Sequence, residues 1–195
     1  MKKVGILNYG VGNYESVASA VMLAGSEPFE VQCRYDLDNI EAIILPGVGH
    51  YDVAMAALRK TEMDKSIHDL IGSNIPVIGI CLGFHIMGST SAEAINESGL
   101  KIFDFHVEQN PEAKVNTGWK PVEDCLTQKT EKYYFNHGFS TEVSEHTIMS
   151  CKTTATVAAV TALSVKQNFC GVQFHLEKSG NLGINMLRRL IQCDF

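Results

Sequence analysis

Three short apolar runs constrain what this chain can fold into. Residues 3–7, 40–45 and 77–80 each end abruptly at a turn rich in glycine: Asn8-Tyr9-Gly10-Val11-Gly12-Asn13, Pro46-Gly47-Val48-Gly49 and Cys81-Leu82-Gly83. Helical spacing follows. Tyr14, Val17, Ala18, Val21 and Met22 repeat on one face until Gly25 closes the helix. Asp52 is placed to cap a helix carrying Val53, Ala56 and Ala57, and Ile67, Leu70 and Ile71 mark another. Residues 29–33 read as a further strand. Strands alternating with helices imply right-handed crossovers and a parallel sheet. In such sheets ligands bind beyond the carboxyl ends of the strands, where the Gly10, Gly47 and Cys81 turns lie.

From about residue 100 the rhythm changes. Segments 101–107, 133–139, 147–152, 156–165 and 169–175 read as strands with no long helix between them, so a smaller, mostly antiparallel β layer is expected beside the main sheet. Residues 181–191, with Ile184, Leu187 and Ile191 on one face, form the closing helix. The expected class is therefore α/β: a mostly parallel open sheet flanked by helices, of flavodoxin-like type, with that antiparallel addition. A length of 195 residues suits a single domain, 1–195. With 45% apolar and 19% charged residues, a sizeable core is expected rather than disorder.

A net charge of −6 without a basic run gives no support to a nucleic-acid or anionic-membrane partner. No apolar stretch approaches the roughly 18–20 residues that span a bilayer. Lysines 2 and 3 resemble the start of a signal peptide, but the apolar run behind them is too short for its core and reads as a strand. Six cysteines are scattered without a C-x-x-C pair or zinc spacing, so free thiols in a reducing cytoplasm are expected, and five of them read as small buried hydrophobes.

The exception is Cys81. A strand ending in a sharp turn before a helix exposes the turn residue above the sheet, the geometry of a nucleophile elbow. A helix N-terminus there favours the thiolate. Such a nucleophile needs a base, and the base an orienting carboxylate. Of seven histidines, His50, His68, His106 and His146 lie in polar or loop-like settings. His85 follows Cys81 by one helical turn, and His137 stands between aromatics and Gly138. His175 is the strongest candidate: it ends the run Gly171-Val172-Gln173-Phe174-His175, and Glu177 stands two positions on, on the same side of an extended segment. Gly10 and Gly12 do not complete a dinucleotide fingerprint, since Glu15 occupies the third glycine position, and no Walker lysine follows Gly49. Backbone N–H groups of the Val48–Gly49 turn and of Leu82 are placed to hold an oxyanion, the plainer alternative being an ordinary turn.

Taken together, Gly79-Ile80-Cys81-Leu82-Gly83, Pro46-Gly47-Val48-Gly49 and Gly171-Val172-Gln173-Phe174-His175-Leu176-Glu177-Lys178-Ser179 resemble the class I (triad) glutamine amidotransferases. Asn8-Tyr9-Gly10-Val11-Gly12-Asn13 and Gly118-Trp119 narrow the resemblance to glutaminase subunits that serve a separate cyclase in histidine biosynthesis. The resemblance implies that Cys81 attacks the carboxamide of L-glutamine, His175 moves the protons and Glu177 orients it. It implies an oxyanion hole at Val48, Gly49 and Leu82, and substrate contacts at Gly49, His85, His137, Gly138 and Phe139. It places Asn13, Gly118 and Trp119 at the interface with a synthase subunit of β/α-barrel fold in a heterodimer. No metal or organic cofactor is implied. The family has glutamine where this chain has His85, proline at Leu176, and different residues around Thr117 and Gly138. These changes leave open a relative feeding ammonia to a sugar amidotransferase of surface-polysaccharide synthesis, or a binding subunit with little turnover. A cysteine peptidase with the same triad fits the Gln173-Phe174-His175 context less well.

Overall fold

In the computed structural model, which describes residues 1–10, 12–110, 115–152 and 159–194, the continuous apolar runs become central strands. β1 (Lys3–Leu7), β3 (Ala42–Leu45) and β4 (Val77–Ile80) are buried almost throughout, so both of their faces need cover. α1 (Tyr14–Leu23) packs on one face with the C-terminal α5 (Gly180–Gln192), where Val17, Val21, Leu187 and Leu190 meet Val4, Ile44 and Ile78. α2 (Tyr51–Lys60) and α3 (Met63–His68) cover the other, with Tyr51, Met55 and Ile67 against Ile43, Leu45 and Val77.

The remaining strands are β2 (Glu27–Val31), β5 (Thr90–Ser91), β6 (His106–Gln109), β7 (Asn116–Asp124), β8 (Thr130–His137), β9 (Phe139–Ser140), β10 (Thr147–Cys151), β11 (Val160–Lys166) and β12 (Phe169–Val172). The large sheet runs β2-β1-β3-β4-β12-β11-β10-β7-β8. It is parallel from β2 to β12 and antiparallel from β12 to β8. The antiparallel part thus continues the main sheet, and β12 joins the two halves by lying parallel to β4 and antiparallel to β11. A second, small sheet pairs β6 with β5 and β9.

Several sequence expectations shift. Residues 101–105 are not a strand: the N–H groups of Leu100, Lys101, Ile102 and Phe103 donate to carbonyls of residues 86–88 instead of to a neighbouring strand. β7 has no counterpart among the expected strands. The run expected over 133–139 breaks at Gly138, where the chain leaves β8 for β9 in the small sheet. Residues 156–158 of the expected 156–165 strand lie outside the described residues. α2 is capped by His50, whose Nδ1 accepts the Asp52 N–H at 3.3 Å, while Asp52 accepts the N–H of Ile95 at 3.0 Å. The helix buries Tyr51, Ala54, Met55 and Leu58, and Val53 faces outward. Of the five cysteines expected inside, Cys151 and Cys170 are buried, but Cys33, Cys125 and Cys193 are exposed. Among the described residues no helix is long and apolar enough to cross a membrane.

Candidate active site

Cys81 follows directly on β4, with φ +51° and ψ −105°. A side chain in the left-handed half of conformational space is strained, and the surroundings must hold it there. They do so from both ends: its N–H donates to Val172 O at 2.7 Å, and its carbonyl accepts the N–H groups of Phe84 and His85, each at 3.0 Å. The turn also presses on the end of β3. A Cβ at Gly83 would lie 1.9 Å from the Leu45 carbonyl oxygen, and one at Gly47 would lie 1.9 Å from that of Ile80. Only glycine allows this approach. The following helix, α4 (Leu82–His85), is a single turn. The expected helix dipole is therefore small, and the sulfur's setting depends on individual neighbouring groups.

His175 lies beyond the end of β12 rather than in it. Its own backbone is extended, but Leu176–Lys178 form a 3-10 turn, and this turn, not strand alternation, brings Glu177 to the imidazole. Nδ1 and Glu177 Oε1 are 2.8 Å apart, with side chains 1% and 4% exposed. The His175 N–H donates to Tyr134 O at 2.9 Å, and the Ser179 hydroxyl links the turn to β8 by donating to His175 O and accepting from Tyr134 N–H. Burial opposes the imidazolium. Interactions with Cys81 and Glu177 outweigh it and raise the His175 pKa to about 9. Nε2 is buried without a partner at ordinary hydrogen-bond geometry, while Cys81 is near enough to stabilise its charge. Such contacts often tighten only when substrate is bound.

Cys81 opens into a cleft of about 360 Å³. The Gly47–Gly49 turn, Leu82, His85 and the segment from Asn136 to Phe139 share its lining. The Leu82 N–H is the first of α4 and has no acceptor within the helix. Gly49 has φ +133°. The buried Tyr9 hydroxyl donates to Pro46 O and so ties the first glycine turn to the second. His137 is locked as a neutral ring: Nδ1 donates to Phe139 O at 2.7 Å and Nε2 accepts from the Asn116 amide at 3.0 Å. Burial, reinforced by His85, lowers its pKa to about 4. The structure therefore brings together Cys81, His175, Glu177, Val48, Gly49, Leu82, His85, His137, Gly138 and Phe139. Asn13, Gly118 and Trp119 lie outside the cleft lining. Asn13 Oδ1 caps α1 by accepting from Ser16 N–H at 3.3 Å. Gly118 has φ +103°, and Trp119 is half-exposed, edge-on to Tyr134 at 6.2 Å.

Two residues, one in the cleft lining and one buried beside Cys81, escaped the sequence reading. Glu93 comes from a polar loop that carries no motif, yet it is half-buried in the lining, and burial raises its carboxyl pKa. Gln173, fully buried, lies between His85 and Cys81. Its Oε1 is 2.8 Å from His85 Nε2 and its Nε2 donates to Cys81 Sγ at 3.8 Å. The only signal for it is its place beside His175 in the β12 run. Among the described residues, no three His, Cys, Asp or Glu side chains converge as metal ligands.

A cysteine in a strained elbow, facing a buried histidine–carboxylate pair on a sheet of this order, is an arrangement that can carry out acyl transfer in an α/β fold. The chain belongs to the class-I glutamine amidotransferase family, whose model matches residues 6–192. Among its relatives is the imidazole glycerol phosphate synthase subunit HisH of Nostoc sp. (strain PCC 7120), 33% identical over 98% of this chain and 96% of the relative. The subunits of the same name from Cyanophora paradoxa and Staphylococcus saprophyticus are 32% and 31% identical, over 97% and 98% of this chain and 94% and 95% of theirs. Solved structures share the fold. PurLQS from Thermotoga maritima superposes with a TM-score of 0.77 at 18% identity, covering 100% of this chain and 98% of the matched chain. A crystal structure of a glutamine amidotransferase gives 0.76 at 17%, covering 96% of this chain and 97% of the matched chain.

Proposed function

We propose that this chain is the glutaminase subunit of imidazole glycerol phosphate synthase, acting as one cytoplasmic domain over residues 1–195 in a heterodimer with a cyclase subunit of β/α-barrel fold. The observation that carries the catalytic reading is the buried His175–Glu177 pair beside the strained Cys81. The Cys81 thiolate attacks the carboxamide carbon of glutamine, forming a C–S bond and an oxyanion. The N–H groups of Leu82 and of the Val48–Gly49 turn receive that oxyanion. Imidazolium His175 gives its proton to the departing nitrogen, the C–N bond breaks, and ammonia leaves a glutamyl thioester. Neutral His175 then takes a proton from water, which attacks the thioester. The C–S bond breaks and glutamate leaves, restoring the thiolate. Glu177 keeps the imidazole oriented throughout.

Gly49, His85, His137, Gly138 and Phe139 shape the pocket for the glutamine side chain. Glu93, a carboxylate in the same lining, complements the substrate's α-ammonium group. Asn13, Gly118 and Trp119 meet the cyclase, which spends the ammonia on a phosphorylated ribulosyl precursor to give imidazole glycerol phosphate and an aminoimidazole carboxamide ribotide. Cys81→Ser tests the reading. In the presence of the cyclase subunit, glutamine-dependent ammonia release is expected to fall by more than about 10⁴-fold. Circular dichroism and partner binding are expected to stay unchanged. Turnover retained in that variant would overturn the nucleophile assignment.

A further inference from the structure

The environment of the Cys81 sulfur contains a conflict. The carbonyl of Asn136 lies 4.0 Å from Sγ, oriented to accept from an S–H group. A carbonyl oxygen there favours the neutral thiol and repels the thiolate. α4 is too short to supply a compensating dipole. The neighbour that reverses the balance through a neutral N–H is Gln173, whose amide nitrogen lies 3.8 Å from the same sulfur. A carboxamide has two unlike ends, and only one of them helps a thiolate. Which end faces Sγ is decided on the far side of the group. There Oε1 lies 2.8 Å from His85 Nε2, and since a carbonyl oxygen accepts only, that nitrogen carries the proton.

We propose that Gln173 stabilises the Cys81 thiolate directly, and that His85 is a positioning residue that fixes the Gln173 carboxamide with its NH₂ toward the sulfur. The proposal rests on the glutaminase reading above and adds to it two side chains acting in sequence. His85 is buried, and burial lowers its pKa to about 4, so the neutral ring holds its Nε2–H donor through the working range. A simple core filler at these positions would be apolar: two buried polar side chains are retained at a desolvation cost that only their mutual bond and the sulfur contact offset. The position where the resemblance puts a substrate-binding glutamine thus serves the nucleophile through its Nε2.

The titratable groups that surround Cys81 are Tyr9 from the β1–α1 turn, Glu93 across the cleft lining, His175 with Glu177 behind it after β12, His137 at the end of β8, and His85 itself. The experiment therefore leaves all but His85 untouched. The full chain is treated with iodoacetamide across pH, and modification of the Cys81 peptide is followed by mass spectrometry. Iodoacetamide reacts with thiolate, so the pH midpoint reports its stabilisation. Gln173→Met, which removes the donor at similar length, is expected to move that midpoint up by about one unit, and Gln173→Glu to move it at least as far. His85→Leu is expected to shift it in the same direction, whereas His85→Gln, which keeps an N–H donor toward Oε1, retains the wild-type midpoint. Unchanged midpoints in folded Gln173→Met and Gln173→Glu overturn the proposal. If the Gln173 variants shift and a folded His85→Leu does not, the role given to His85 is overturned. If His85→Leu fails to fold, His85→Met, which also lacks the donor, takes its place: a shift like that of Gln173→Met supports the role of His85, and an unchanged midpoint overturns it. The readout needs no glutamine turnover, so it stands whether or not the chain proves to be a glutaminase.

Discussion

His175 has neighbours with opposite effects on its proton. Burial expels the charge, and Cys81 and Glu177 draw it back, with a pKa of about 9 as the outcome. A folded-state pKa above the ordinary value of 6.5 contributes stability that is fully present below pH 6.5 and is lost as pH rises through about 9. At 1.36 kcal/mol per unit this amounts to about 3 kcal/mol. Urea unfolding is therefore expected to show the wild type losing stability between pH 6.5 and 9, and Glu177→Gln to flatten that slope. Equal slopes in the two proteins would remove the buried pair from the account. Cys81, His175 and Glu177 were legible because each sits in a short local pattern. Gln173 was not, since its contacts with His85 and Cys81 join positions 88 and 92 residues apart along the chain. Glu93 was illegible for a similar reason: a glutamate in a polar loop looks solvated until the fold places it in the cleft.

At the scale of elements, the β4–α4 turn depends on backbone meeting backbone. Gly83→Ala would force a methyl group to within 1.9 Å of the Leu45 carbonyl oxygen, so the α4 turn must move off the end of β3. A loss of about 3 kcal/mol, or a fall of ~10 °C in melting temperature, is expected. A melting curve within a degree or two of wild type would show that the turn can yield. The same dependence explains what the sequence revealed of the elements. β1, β3 and β4 were legible because strands buried on both faces are uniformly apolar. β7 was missed because it lies near the sheet edge, alternates poorly in burial and carries Gly118 and Pro121, residues that locally spell a loop. Its pairing with β8, from Asn116–His137 to Glu123–Thr130, makes it a strand, and that partner is remote in the pattern. The 101–105 segment shows the converse: an apolar run whose N–H groups are taken by the turn after α4.

For the whole molecule, the proposed partner surface is separable from the site. Trp119 is 52% exposed and rests edge-on against Tyr134, which follows the same strand pair toward His175. Trp119→Ala is expected to weaken binding to the cyclase subunit by about 30-fold, as loss of an interface tryptophan commonly does, measured by calorimetry. The melting temperature of the isolated chain is expected to stay within a few degrees. Unaltered affinity would move the interface elsewhere. The sheet order has a last consequence, for the chain as it is made. β12 is the last strand of the large sheet in chain order, yet it lies in the middle of that sheet, beside β4, and the segment after it carries both Gln173 and His175. Until it inserts, β4 is an unpaired edge and the thiol above it has neither its base nor its amide donor. A growing polypeptide therefore holds its cysteine unarmed, and reactivity arrives in one step, only when nearly the whole architecture is complete.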